Sequence, residues 1–154
     1  MHHLDLGLRA ARAVSTAMLM VLAGPVGAST YQWLQHEAEF VRCRSTMQEL
    51  SQVVRSLPAR AASARRPVQL QVDANRGFVR VTTAYEGQPT YGAVQRTLWL
   101  PKGLEVVEAP ATLTVTPAQP MASASFLLAA PSHNTLFRLR TQDGIVRLDE
   151  EPLL

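Results

Sequence analysis

Residues 45–72 read STMQELSQVVRSLPARAASARRPVQLQV, and within this stretch the spacing of apolar side chains changes from that of a helix to that of a strand. Carried back to Trp33, the helical part shows a stripe of Trp33, Phe40, Met47, Val54 and Ala61, accompanied three residues later by His36, Cys43, Leu50, Leu57 and Ala64. A stripe of that period marks one apolar face of an α-helix. After Pro67 the alternation is every second residue, with Val68, Leu70 and Val72 on one side and Gln69, Gln71 and Asp73 on the other. That is a strand with one buried face. Pro58 is expected to kink or pause the helix, ARAASARR (residues 59–66) to resume it, and Pro67 to end it.

Upstream, residues 13–35 carry no charge, while Arg9 and Arg12 precede them. The apolar centre, Ala17 to Val26, is diluted on both sides by Ser, Thr, Gly and Pro. Two readings stand. One is an inner-membrane anchor with the arginines held in the cytoplasm; the other is a secretory signal cleaved between Ala28 and Ser29. Both place the body of the chain outside the cytoplasm.

Downstream, turn chemistry divides residues 67–154 into about eight short strands. Asp73-Ala74-Asn75-Arg76-Gly77 and Thr141-Gln142-Asp143-Gly144 suit hairpins, and Glu86–Gly92 (EGQPTYG) has the composition of a loop. Further strands are expected over residues 95–100, 104–108, 112–116, 123–129, 135–140 and 144–149. The expected class is α+β: a long N-terminal helix packed on a β-rich head of about eight mostly antiparallel strands. The parts are an anchor or signal (residues 1–28), an amphipathic helix (29–66) and the head (67–154).

Composition narrows function by exclusion. With 47% apolar and 18% charged residues, the chain is globular rather than a disordered tail. Its net charge of +3 rests on arginine, since Lys102 is the sole lysine. Such a surface by itself specifies solubility rather than a partner. One cysteine, Cys43, excludes an internal disulfide and a cysteine zinc cluster, and its place on the stripe makes it a small buried residue. His2, His3, His36 and His133 lack metal-ligand spacing, no nucleophile elbow or phosphate loop is present, and Asp73 and Asp143 belong to turns. No catalytic residue, cofactor or metal is expected. Arg138 and Arg140 share a strand face, with Arg147 across the next turn. Together they are the candidate nucleic-acid contact, although no interleaved aromatics accompany them for base stacking.

The order of these features resembles a known family. Glu49–Leu70 (ELSQVVRSLPARAASARRPVQL), with its Arg66-Pro67-Val68 step, is similar to the helix end and first strand of H-type minor pseudopilins of type II secretion and the related type IV minor pilins. Leu100-Pro101-Lys102-Gly103-Leu104 resembles their Leu-Pro-x-Gly turn, and Asp143–Leu148 their final hairpin. The resemblance implies a structural subunit, not an enzyme. Its partners would be sister pilins, the inner membrane and, in secretion, exported protein cargo. The assembly face would be Trp33, Phe40 and Met47, with Leu50, Val54 and Leu57 kept for the head. Members are cleaved after a glycine and methylated, and Gly7 followed by Leu8 is the candidate site here. Where they carry a glutamate at the fifth mature position, this chain has Arg12. The Gly-Arg-x-Arg element of DNA-uptake members is absent, since Gly144 is followed by Ile145-Val146-Arg147.

Overall fold

The computed structural model describes the backbone of residues 3–85 and 88–153 and the side chains of residues 29–83 and 94–153. One helix, α1 (His3–Ala64), is followed by strands β1 (Val68–Asp73), β2 (Phe78–Tyr85), β3 (Gln88–Trp99), β4 (Glu105–Glu108), β5 (Thr112–Val115), β6 (Ala124–Ala130), β7 (Thr135–Gln142) and β8 (Ile145–Pro152). Two compact units divide the chain, Met1–Ala38 and Glu39–Leu154. The boundary between these two units falls inside α1. From Cys43 onward the helix stripe is buried against strands, and that burial makes the second half of α1 part of the head.

In the head the strands form two antiparallel four-stranded sheets, ordered β3-β2-β1-β5 and β4-β6-β7-β8. Alternation sends Val68 and Leu70 of β1, Val79 and Val81 of β2, and Leu113 and Val115 of β5 inward from the first sheet. Phe126 and Leu128 of β6 and Phe137 and Leu139 of β7 point inward from the second. They share one core with Cys43, Met47, Leu50, Val53, Val54, Leu57 and Ala61 of α1. Each large side chain among these contributes about 1.5–3 kcal/mol by leaving water. The helix stripe and both sheets thus contribute to one core.

Helix α1 continues through Pro58 and stops at Ala64. Arg66 N–H donates to Ala61 C=O at 3.3 Å and Arg65 N–H to Ala62 C=O at 3.2 Å, while Arg65 has φ of 52°. These are the two bonds of a Schellman ending, with arginine at the left-handed position that glycine usually fills. The β1–β2 turn closes with Asp73 Oδ1 accepting from Arg76 N–H at 3.0 Å, and Gly77 has φ of 64°. At the β7–β8 turn Asp143 and Gly144 have φ of 51° and 77°, the pair of positive values that the tight two-residue hairpin requires.

One expected loop is largely strand. Residues 88–92 belong to β3, which pairs with β2 through register shifts at Val81/Thr82 and Thr83/Tyr85. The turn-forming composition of EGQPTYG is overridden because β3 is an outer strand, where Pro89 removes no obligatory ladder bond and bulges absorb the irregularity. At the opposite side, Arg55 Nη2 of α1 donates to the Val146 carbonyl of the outer strand β8 at 3.1 Å, capping part of that edge. The Pro101-Lys102-Gly103 turn meets the helix where Glu39 lies against Gly103, and a Cβ at that glycine would collide with the Glu39 carboxylate.

Candidate functional site

Two surfaces gather the residues of interest. The first is on α1 ahead of the head, where Tyr31, Trp33 and Leu34 are 63%, 60% and 53% exposed. Trp33, expected at the assembly face, is thus exposed. Phe40 is half-buried, its ring 4.8 Å from His133 and 6.4 Å from Phe137, with the Arg44 guanidinium 5.2 Å from its centre. Met47, expected to face sister subunits, is instead wholly buried in the head. The apolar period runs unbroken through all three positions. What separates them is the arrival of the sheets, which cover the stripe from Phe40 onward. Tyr31 and Leu34, outside the seven-residue stripe, are the exposed residues that the sequence reading missed; their spacing of three was the available signal.

The processing candidates Gly7, Leu8 and Ala28 lie outside the residues whose side chains are described, and Ser29 is exposed. Among the described residues no helix is long and apolar enough to cross a membrane.

The second surface is the outer face of β7 and β8. Their register sets Arg140 opposite Arg147, Arg138 opposite Asp149 and Leu136 opposite Glu151. Ion pairs run along the diagonals: Arg140 Nη2 to Asp149 Oδ2 at 2.9 Å and Arg138 Nη2 to Glu151 Oε2 at 3.2 Å. Arg147 makes no ion pair among the described residues. The register brings Arg147 onto the face that Arg138 and Arg140 share, but those two are matched to acids whose reach across the ladder linear reading could not supply. The hairpin end carries a depression of about 480 Å³, lined by Arg140, Gln142, Asp143, Ile145, Arg147 and Asp149.

Cys43 is fully buried, and desolvation, with the nearby Glu39 carboxylate second, pushes its thiol up from the ordinary value. It is held as a thiol, not as a thiolate nucleophile.

A long helix whose second half is buried by two antiparallel sheets, with apolar side chains exposed just ahead of them, defines the pilin-like class of α+β proteins. Among solved structures the chain is similar to the type IV minor pilin FimU of Pseudomonas aeruginosa, with a TM-score of 0.56 and 17% identity over 72% of this chain and 90% of that one. A second crystal form of FimU gives a TM-score of 0.52 at 17% identity, over 71% and 93% of the two chains. The minor pseudopilin EpsH of the Vibrio cholerae type 2 secretion system gives 0.55 at 12% identity, over 72% and 97%. The fold is shared with minor pilins and pseudopilins. No family model matches the sequence, and no curated protein matches it.

Proposed function

We propose that this chain is a minor-pilin-like structural subunit of a type II secretion pseudopilus or type IV pilus, acting by helix packing with sister pilins in protein export. The observation that carries this reading is the exposure of Tyr31, Trp33 and Leu34 immediately before the helix stripe enters the head core. Large apolar side chains spaced along one helix and left in water are what helix–helix association consumes. On this reading the N-terminal segment sits in the inner membrane, the head lies in the periplasm, and the partners are other minor pilins, with protein cargo a further contact of the head.

The test is co-purification from the native host of the wild-type chain and of Trp33→Glu. The expected result is recovery of pilin-type partners with the wild type and their loss with the variant, while the circular dichroism and melting temperature of the head are unchanged. Equal recovery with both proteins would overturn the reading. The N-terminus of the same wild-type material decides the anchor. A membrane-bound chain starting at methylated Leu8 supports it, whereas a soluble chain starting at Ser29 would make the protein a free periplasmic accessory or binding protein.

A further inference from the structure

We propose that the β7–β8 hairpin depression is a docking site for a carboxylate side chain of a partner protein, held by Arg147 with Arg140 beside it. Like charges directly opposite on neighbouring strands repel, and the register makes Arg140 and Arg147 such a pair. Asp149 pairs with one member through its 2.9 Å contact with Arg140, while Arg147 makes no ion pair among the described residues. An anion entering from solvent beside Arg147 would accept from the planar guanidinium fork and remove the repulsion.

The lining also selects the anion. Asp143 and Asp149 border the same depression, so a polyanion would bring further negative charge against two carboxylates, whereas a single carboxylate places its charge at Arg147 alone. Ile145, 56% exposed at the rim, offers apolar area for the methylene stem of that side chain or for a neighbouring residue. A volume of about 480 Å³ accommodates a side chain with its flanking backbone. A nucleic-acid backbone fits this face worse, because Asp149 and Glu151 interleave with the arginines and no exposed aromatic accompanies the depression. The site needs a folded head and no filament, so it stands or falls separately from the assembly reading.

The test is a titration of the ¹⁵N,¹³C-labelled full chain in detergent micelles, following the Arg147 Nε–Hε resonance and the Ile145 methyl groups. The probe is N-acetyl-Leu-Glu-Leu-amide, and the comparison ligands are its Leu-Gln-Leu analogue and an eight-residue oligothymidylate. The expected result is a saturable shift at both positions with the glutamate peptide, weakened about tenfold or more in Arg147→Gln and absent with the glutamine peptide. Because Arg147 is exposed, retained dispersion of the Arg147→Gln spectrum verifies its fold. No saturable shift, equal binding of the glutamine peptide, or undiminished binding by the variant would each overturn the proposal. Tighter binding of the oligothymidylate would overturn it in favour of a phosphate site.

Discussion

Arg44 and Glu150, 106 residues apart in sequence, meet as a two-pronged pair in which Nε donates to Oε1 at 2.8 Å and Nη2 to Oε2 at 2.6 Å. The pair joins the helix to the outer strand of the second sheet, and Arg96 and Glu49 make a corresponding ion pair between the first sheet and the same helix. Hydrogen bonding and charge from Glu150 raise the Arg44 pKa above its ordinary value. A double-mutant cycle of Arg44→Ala and Glu150→Ala should therefore show favourable coupling in urea unfolding, shrinking as salt is raised. Simple additivity at low salt would show that the fork contributes nothing.

The helix ending is improvable. Arg65 occupies a left-handed backbone position at a cost that glycine does not incur. Arg65→Gly should stabilise the head by about 0.5–1 kcal/mol in equilibrium urea unfolding, the gain being partly offset by the greater freedom of glycine in the unfolded chain.

Met47 and Trp33 lie on one periodic stripe and should behave oppositely. Met47→Ala opens a cavity in the core and is expected to cost about 2–5 kcal/mol of unfolding free energy. Trp33→Ala removes an exposed ring and should leave unfolding within about 0.5 kcal/mol of wild type. A large loss for Trp33→Ala measured on the isolated monomer would mean that its ring packs within the chain.

Cys43 makes stability fall at alkaline pH. Its folded-state thiol pKa is raised, so the folded chain holds the proton more tightly than the unfolded chain. The associated stability is fully present below the unfolded value of about 8.5 and is lost as pH rises through the folded value. Urea unfolding between pH 7 and 10 should show this loss in the wild type, with a smaller slope in Cys43→Ala. In native buffer the thiol should react with Ellman's reagent only as fast as the head opens.

The local grammar of this chain is written in its residue spacing. The seven-residue stripe, the alternation after Pro67, the Asp143-Gly144 hairpin and the burial of Cys43, Leu50, Val54 and Leu57 follow from periodicity and turn chemistry, which act between near neighbours. Tertiary structure decided where the stripe stops being surface. Trp33, Phe40 and Met47 are equivalent by spacing, and only the two sheets closing over α1 leave the first in water and bury the last. It also decided that residues 88–92 are part of strand β3, since an outer position tolerates a proline that an inner strand would reject. On the β7–β8 face it matched Arg138 and Arg140 with acids and, among the described residues, left Arg147 without one. The reason is common to all three: burial, strand pairing and ion pairing depend on distances between residues far apart in the chain, and linear spacing carries no measure of those distances.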